Sequence, residues 1–543
     1  MSQPSLSGDL FGGLTAAVVA LPLALAFGVA SGLGPLAGVY GAIAIGFFAS
    51  AFGGTPAQIS GPTGPMTVVT AAVVAQYAEN LNMAFTIIML GGVMQMLLGV
   101  LKVGKAIAYT PYSVISGFMS GIGIIIILLQ LPALFGVPQV EGAAAAVLLQ
   151  LDQLWHSLNL HALLVGLGTL LVALLWPARW QRWLPAPLAA LIAGSLLANL
   201  LLTRAPVLGE LPFGLPTLHW PGLQASQLTQ AIQPAFVLAL LGSIDSLLTS
   251  LVADSLTRTQ HRPNRELLGQ GLGNTIAGLV GGIPGAGATM RTVINIQAGG
   301  RGRTSGIVHA VTLLLLVLVL APVTGKIPHA VLAGILLKVG WDIIDWGYLR
   351  VLLQLPRDKV LVMLITLILT VFVDLITAVA VGLIVAGIVT AMRTERDELS
   401  RVQAGSAAAV DDLSAAEQQL LAGSGDAIAI LSMSGRFSYA SARALNQRLA
   451  LLDSQHRVLI LDFGRLAYVD PSMALAIRDL LHAAADHRLH CVVVCPHQQA
   501  LSPLQAFQVF ARSHPDDIVT DRHAALTRAV QIINQTNQIN LAH

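Results

Sequence analysis

Residues 277–292 read AGLVGGIPGAGATMRT, and residues 49–67 read ASAFGGTPAQISGPTGPMT. In both segments an apolar run ends in Gly-Gly-x-Pro, a short glycine-rich break follows, and a second apolar run begins directly after it. Short helices interrupted by glycine and proline at matching places in two halves are typical of secondary transporters, where the breaks lie near the middle of the membrane. The two segments therefore predict two structural repeats that meet at a binding site.

The composition places these segments in a membrane. The chain has 543 residues, of which 55% are hydrophobic and 10% are charged, and its mean hydropathy is +0.74. Residues 1–392 contain 16 basic and 12 acidic residues, whereas the much shorter segment 393–543 contains 13 and 15. We therefore expect a transmembrane domain over residues 1–392, followed by a soluble domain. The nearly balanced charge excludes a nucleic-acid-binding protein that works by bulk positive charge.

Apolar stretches that could cross the bilayer recur along residues 1–392. A straight span needs about 20 apolar residues, and counting the shorter runs beside the two breaks gives about fourteen segments. The stretch 359–392 is too long for one span and contains Asp374, which predicts two helices joined by a tight outer turn. Seven spans per repeat is an odd number, so the second repeat should be inverted. The predicted fold is a polytopic α-helical membrane protein built from two inverted repeats.

The basic residues predict the orientation of the chain. If the N-terminus is cytoplasmic and the spans alternate, most basic residues fall in cytoplasmic connections, as the positive-inside rule requires. These residues are Lys102, Lys105, Arg179, Arg182, Arg258, Arg262, Arg265, Arg301, Arg303, Arg350, Arg357 and Lys359. Both termini are therefore expected in the cytoplasm. The first residues lack a basic n-region and a cleavage signal, so no removable signal peptide is expected.

The pattern changes to that of a small α/β domain after a linker over residues 393–424. From residue 425 onward, apolar segments typical of strands, near Ala427, Val458 and Val492, alternate with helical segments. Both cysteines of the chain, Cys491 and Cys495, lie in this part, which indicates a reduced cytosolic domain and not a disulfide scaffold.

The start of the second apolar run after each break is the candidate anion site. The candidate N-termini are residues 63–67 in the first repeat, with Thr63 and Gly64 as candidate ligands, and residues 288–292 in the second, with Ala288 and Thr289. A helix N-terminus presents unpaired N–H groups and the positive end of the helix dipole, which suits an anion. The alternative is that the glycines and prolines only let the helices pack closely.

Asp245 is an acidic residue in the middle of an apolar span. A charged side chain at that depth costs about 2.5 to 3.5 kcal/mol, which favours a functional role. Thr249 follows one turn later on the same face, so the carboxylate and the hydroxyl could converge on a cation or a proton. The alternative is a buried aspartate that caps the second short helix.

Arg291 falls in the first turn of the second short helix, where a cation opposes the helix dipole and needs a counter-charge. It is expected to bind the substrate anion, to neutralise Asp245, or to alternate between the two, with snorkelling to water as the alternative. Phe27 follows Pro22 in the first span and could form an apolar wall of the site, or simply belong to the core. The sequence contains no P-loop, nucleophile elbow or zinc-binding motif, so no enzyme activity is predicted.

Several motifs resemble the sulfate permease (SulP) family, and most nearly the sodium-dependent bicarbonate transporters of cyanobacteria within it. They are GDLFGGLTAAVVALPLALAFGVASGLGPLAGVYG (8–41), GPTGPMTVV (61–69), PYSVISGFMSGIGI (111–124), SIDSLLTSLVADSLTRTQH (243–261) and GAGATMRTVINIQAGGRG (285–302). The resemblance implies fourteen helices in two inverted repeats of seven. It also implies a core and a gate domain like those of uracil-type permeases, a cytoplasmic STAS domain at residues 425–543, and a homodimer in a bacterial inner membrane.

The resemblance also implies residue roles. Thr63 and the backbone around Ala288 resemble the anion site between the two short helices. The residues carried over for a sodium ion are Asp245, Thr249, Gly287 and Thr289. The chain departs from the sodium-dependent transporters at Arg291, where they have glycine. The fixed positive charge of Arg291 beside Asp245 disfavours the binding of a second cation there, which favours proton coupling or anion exchange.

The predicted function is secondary-active transport of an inorganic anion, bicarbonate or sulfate, by alternating access. Coupling to Na⁺ or H⁺ is expected at Asp245, and no cofactor is predicted beyond a sodium ion at Asp245 and Thr249. The alternatives are an uncoupled exchanger or channel, a dicarboxylate transporter, a regulatory membrane protein that acts through its STAS domain, and a nucleobase permease, against which Arg291 argues. Ser472 in YVDPSMAL matches the phosphorylatable serine of anti-sigma-factor antagonists, although an N-cap serine or aspartate is the simpler interpretation.

Overall fold

The computed structural model describes residues 5–542 except for 108–109, 138–143, 181–183, 210–215, 223–224, 374, 400–401, 407–413, 422–426, 438–455, 487–488, 496–502 and 512. The chain folds as two compact units, Met1–Ala386 and Gly387–His543. The expected boundary after residue 392 falls inside a helix that continues to Leu399.

The first unit consists mainly of helices. Within the described residues, those of nine or more residues are α1 (Leu6–Ala30), α2 (Pro35–Phe52), α3 (Gly64–Gln76), α4 (Leu81–Val100), α5 (Tyr112–Leu134), α6 (Leu160–Leu175), α7 (Ala186–Leu200), α8 (Ala225–Thr257), α9 (Pro263–Leu279), α10 (Thr289–Gln297), α11 (Arg303–Thr324), α12 (His329–Ile343), α13 (Arg357–Phe372) and α14 (Leu375–Leu399). Shorter helical segments lie at Gly104–Ile107, Ala144–Leu149, Leu151–His156 and Trp346–Arg350. The two helices predicted from the long apolar stretch are confirmed as α13 and α14, and Asp374 between them lies outside the described residues.

Several of these helices can cross a membrane. Among the described residues, six are long and apolar enough by length and composition: α1, α2, α4, α5, Thr229–Thr257 of α8 and Thr377–Glu398 of α14. Shorter apolar helices include α3, α6, α7 and Arg303–Val319 of α11. The polytopic helical architecture is thereby confirmed, while the number of fourteen spans stays a prediction.

The two glycine-rich breaks lie side by side. Ser60–Gly61 (β1) pairs antiparallel with Ala286–Gly287 (β2), so that Ser60 faces Gly287 and Gly61 faces Ala286. Glycine is required at this crossing, because a Cβ atom on Gly285 would lie 2.1 Å from the carbonyl oxygen of Gly61. Two equivalent segments that run in opposite directions are what inverted repeats predict.

The helices of the first unit form two bundles. Helices α1–α4 pack with α8–α11 in one bundle, and α5–α7 pack with α12 and α13 in the other. Helix α14 joins the second bundle, since a Cβ on Gly382 would touch Thr366 of α13 and Val114 of α5. Contacts of α3 with α5 and α12, and of α1 with α7 and α12, connect the bundles. This division agrees with the core and gate domains that the resemblance implies.

The second unit is an α/β fold. Its strands β3 (Val402–Ser406), β4 (Ile428–Phe437), β5 (Val458–Val469), β6 (His490–Val494) and β7 (Ile518–Val519) form one sheet in that order. Strand β3 is antiparallel to β4, and the other neighbours are parallel. Helices α15 (Ala415–Leu421) and α17 (Arg522–Ala542) cover one face of the sheet, and α16 (Pro471–Asp486) covers the other. The three predicted strands are confirmed, while residues 438–455, where a helical segment is expected between the first two of them, lie outside the described residues.

Candidate functional site

The two short helices of the first unit begin where the sequence predicts. Helix α3 begins at Gly64 with Thr63 as its N-cap residue, and α10 begins at Thr289 with Ala288 as its N-cap residue. No side chain caps either N-terminus within the described residues. The N–H groups of both first turns therefore remain available to a ligand, and the pairing of β1 with β2 brings the two N-termini together.

Three buried polar atoms around these N-termini have no hydrogen-bond partner in the described part of the chain. They are Thr63 Oγ1, Asp245 Oδ2 and Arg291 Nη1. The Thr63 hydroxyl lies near the Asp245 carboxylate and interacts with it, but the two do not have the geometry of a full hydrogen bond. The carboxylate also interacts electrostatically with the Arg291 guanidinium. A buried polar group without a partner costs about 1 to 3 kcal/mol, so three of them from three separate elements indicate a ligand site.

The Arg291 side chain reaches back to the first repeat. Its Nη2 atom donates a hydrogen bond to the carbonyl oxygen of Pro62, the residue before Thr63. Its Nη1 atom lies beside Gly61, where an added Cβ would be 2.8 Å away. Arg291 is only 2% exposed, so the alternative that it snorkels to water is wrong. It joins the two short helices and leaves one nitrogen without a partner.

Three of the four residues carried over for a sodium ion, Thr249, Gly287 and Thr289, contact one another. The Thr249 hydroxyl donates to the carbonyl oxygen of Gly287 at 2.9 Å, and it lies 2.8 Å from the Thr289 hydroxyl. The convergence of Asp245 and Thr249 on one cation stays a prediction. The hydroxyl is bonded to the second repeat, whereas the Asp245 carboxylate faces Thr63 in the first repeat.

A buried carboxylate that the sequence pattern did not single out fixes the first break. Glu266, in the first turn of α9, is 1% exposed. It accepts hydrogen bonds from the backbone N–H groups of Gly54 and Thr55, both at 2.8 Å, and from the amide groups of Gln58 at 2.9 Å and Gln270 at 2.8 Å. Four donors compensate its charge. The spacing of Glu266 and Gln270, one turn apart in an apolar helix, was the available signal.

Helix α10 holds the same break from the other side. The Thr292 hydroxyl accepts a hydrogen bond from the N–H group of Ile59 at 3.0 Å, and the Asn295 amide donates to the carbonyl oxygen of Ala57 at 2.9 Å. The N–H group of Ala288 donates to the carbonyl oxygen of Ile59 at 2.8 Å. The residues that lead into α3 are thus fixed from both α9 and α10, which gives the candidate site a defined shape.

Asp245 also lines a cleft between the two bundles. This cleft, about 390 Å³ including its open mouth, is lined by Pro65, Asp245 and apolar side chains of α5, α8 and α14. A second cleft of about 1220 Å³ lies at the other end of α5, where Gln130 and His329 contribute to its wall. Only the first of these two clefts includes residues of the candidate site, Pro65 and Asp245. Phe27 lines neither of them and packs in the apolar core, so its expected role as a wall of the site is not supported.

In the second unit, the structure describes the start of α16, where Ser472 lies, and both cysteines. Helix α16 begins at Pro471, and the Asp470 carboxylate accepts the N–H group of Met473 at 2.7 Å, so the N-cap residue is the aspartate. Ser472 is exposed in the first turn. Burial raises the pKa of Cys491 to about 12 and that of Cys495 to about 11, which keeps both thiols protonated at neutral pH.

Comparison with known proteins gives matches to both units. The sulfate permease family model matches residues 6–366, and the STAS domain model matches residues 422–521. The chain is 42% identical to the bicarbonate transporter BicA of Picosynechococcus sp., over 97% of this chain and 95% of that protein. It is 36% identical to the putative sulfate transporter YvdB of Bacillus subtilis, over 70% and 72%. The solved transmembrane domain of a cyanobacterium bicarbonate transporter BicA matches with a TM-score of 0.66 at 50% identity, over 69% of this chain and 97% of that one.

Proposed function

This chain belongs to the sulfate permease family, and from that premise we propose that it is a secondary-active transporter of an inorganic anion, with bicarbonate as the first candidate. Identity of 42% to a bicarbonate transporter over nearly the whole chain supports this substrate. Relatives of this chain are transporters and not enzymes. Sulfate is the second candidate because a putative sulfate transporter is 36% identical over most of the first unit.

The observation that carries the proposal is the set of unpartnered donors between the two helix N-termini. The Thr63 hydroxyl, Arg291 Nη1 and the N–H groups at the starts of α3 and α10 can all donate to the oxygen atoms of an oxyanion. A small oxyanion such as bicarbonate or sulfate accepts several hydrogen bonds in different directions. The chemistry offered by the site therefore suits such an anion, and the positive ends of two helix dipoles add to the attraction.

We further propose that Asp245 couples the anion to a cation. Without an anion, the Asp245 carboxylate balances the charge of Arg291. When an anion enters, the site holds two negative groups and one arginine, so a proton or a sodium ion restores the balance. A proton requires only the unpartnered Oδ2 atom of Asp245. A sodium ion would have to displace the hydrogen bond between Thr249 and Gly287.

The acid–base chemistry of the transported anion limits which ion can usefully be coupled to it. A proton that accompanies bicarbonate converts it to carbonic acid and hence to carbon dioxide, which crosses membranes unaided. Proton coupling therefore fits sulfate, whereas sodium coupling or exchange fits bicarbonate. The position of Arg291 beside Asp245 favours proton-coupled sulfate transport as a second candidate function. The sequence identity to a bicarbonate transporter over nearly the whole chain favours bicarbonate.

We also propose that the chain lies in a bacterial plasma membrane as a homodimer, with both termini and the STAS domain in the cytoplasm. Arginines from two of the predicted cytoplasmic connections meet at one end of the bundle. Arg265 donates to the carbonyl oxygen of Phe52, and Arg303 donates to those of Ala51 and Gly53. Their convergence on the end of α2 supports a single basic surface, as the positive-inside rule expects. Exposed Ser472 would then be available to a cytoplasmic kinase.

Uptake by the purified full chain in proteoliposomes tests this proposal. Radiolabelled bicarbonate and sulfate are each offered with no gradient, with an inward Na⁺ gradient, and with an inward H⁺ gradient. We expect uptake of at least one anion above protein-free vesicles, stimulated by the Na⁺ gradient for bicarbonate or by the H⁺ gradient for sulfate. Inserted protein that takes up neither anion, with or without a counter-anion inside, would contradict the proposal.

A further inference from the structure

A buried histidine lies beside the candidate anion site. His309 of α11 is 0% exposed, and neither its Nδ1 nor its Nε2 atom has a hydrogen-bond partner among the described residues. Buried polar side chains are nearly always hydrogen-bonded, to protein or to an ordered water. Apolar packing alone therefore does not explain why both ring nitrogens of His309 are buried there.

His309 and Arg291 both lie near α2 and the first break. A Cβ on Gly46 would be 3.2 Å from His309 Cδ2, and a Cβ on Gly61 would be 2.8 Å from Arg291 Nη1 and 3.3 Å from Ala42 Cα. A Cβ on Gly46 would also be 3.4 Å from the carbonyl oxygen of Ser60, the residue before Gly61. The imidazole and the guanidinium also interact electrostatically. Two unpartnered polar side chains thus lie in the same buried region, beside consecutive residues of the first break.

We infer that His309 is a positioning residue for Arg291: through one buried water, its neutral imidazole accepts a hydrogen bond from Arg291 Nη1 and fixes the guanidinium against the anion. The inference rests on the proposed function, in which Arg291 contacts the anion. One buried water can bridge two such groups when their nitrogen atoms are about 5 to 6 Å apart. The water satisfies two groups that otherwise lack partners.

The chemistry of the two side chains agrees with this arrangement. A neutral imidazole has one acceptor nitrogen, whereas a protonated imidazole has only donors and would repel the guanidinium. Arg291 Nη2 is already fixed by the carbonyl oxygen of Pro62. Of the two hydrogens on Nη1, one would face the water and the other the anion. The guanidinium plane is then fixed from both ends, so that the remaining Nη1 hydrogen keeps one direction towards the anion.

A double-mutant cycle on the full chain tests the inference, with the anion affinity measured by calorimetry using the anion that proteoliposomes take up. His309→Leu should raise the dissociation constant about tenfold, or about 1.4 kcal/mol. His309→Gln, which keeps an acceptor, should raise it by less than about threefold. In the Arg291→Ala background, His309→Leu should change it by less than about twofold. Val311→Ala, at a position of α11 that is 44% exposed, is the control and should have no effect.

The outcomes separate this inference from the proposed function. If Arg291→Ala leaves the affinity unchanged, the anion role of Arg291 fails, and the inference fails with it. If Arg291→Ala weakens binding but His309→Leu has no effect, or has the same effect in both backgrounds, then only the inference is overturned. If His309→Leu does not insert, His309→Asn takes its place. Its shorter amide should weaken binding more than Gln does, and only when Arg291 is present.

Discussion

Replacing Arg291 with alanine should weaken anion binding more than replacing Thr63 with alanine. Both side chains have an unpartnered buried atom at the meeting point of the two short helices. A hydroxyl contributes about 0.5 to 1.5 kcal/mol net to a complex, whereas a charge-assisted contact contributes about 1.5 to 3 kcal/mol. The dissociation constant should therefore rise about 2- to 13-fold for Thr63→Ala and about 13- to 160-fold for Arg291→Ala.

The assay is calorimetric titration of the detergent-solubilised full chain with the transported anion. Arg291→Lys is the matched control, because it keeps the positive charge but loses the fork that reaches both Pro62 and the anion. We expect its affinity to lie between those of the parent protein and Arg291→Ala. Thermal unfolding of each variant separates lost binding from lost folding. Equal losses for Thr63→Ala and Arg291→Ala would refute the reasoning, because Arg291 would then not touch the anion.

Three further predictions concern stability, domain autonomy and thiol reactivity. Glu266→Gln should lower the free energy of unfolding by about 1.5 to 3 kcal/mol, because an amide cannot accept hydrogen bonds from all four donors. The exposed control Glu79→Gln should leave the melting temperature unchanged. Removing residues 400–543 should leave anion affinity unchanged, since every proposed ligand precedes Arg301, and loss of binding by an inserted, folded remainder would contradict this. Cys491 and Cys495 have raised pKa values and are therefore protonated at pH 8. Maleimide should label them slowly in the folded chain and rapidly in urea. Fast labelling without urea would show that they are accessible thiolates.

Local chemistry explains why part of the site was predictable from the sequence. Glycine and proline restrict where a helix can begin, so the breaks predict the starts of α3 and α10 at the residues where the structure has them. Asp245 and Arg291 stand out because a charge in an apolar span is costly. Their burial beside one another follows from the antiparallel pairing of the two breaks, which inverted repeats predict.

The contacts that were not predictable join residues far apart in the chain. Glu266 binds backbone groups more than 200 positions earlier, and no local pattern encodes that choice of partner. The Thr249 hydroxyl could have turned towards Asp245 or towards Gly287, and only the position of the second break decides between them. In the sequence, His309 is one polar residue near the start of an apolar helix, and nothing in the local pattern indicates its role. Its proximity to Arg291 depends on how α11 packs against α2 and how α10 packs against the first break.

The most direct test of the central claim is a pair of measurements on Asp245→Asn. The variant keeps the shape and hydrogen-bonding groups of the side chain but removes its charge and its proton. Calorimetry should show anion binding that is unchanged or tighter, because the two helix N-termini and Arg291 remain and a nearby negative charge is gone. Accumulation of the anion against its gradient in proteoliposomes should collapse. Uptake by the variant that still follows an imposed Na⁺ or H⁺ gradient would contradict the account, since the coupling ion would then be bound elsewhere.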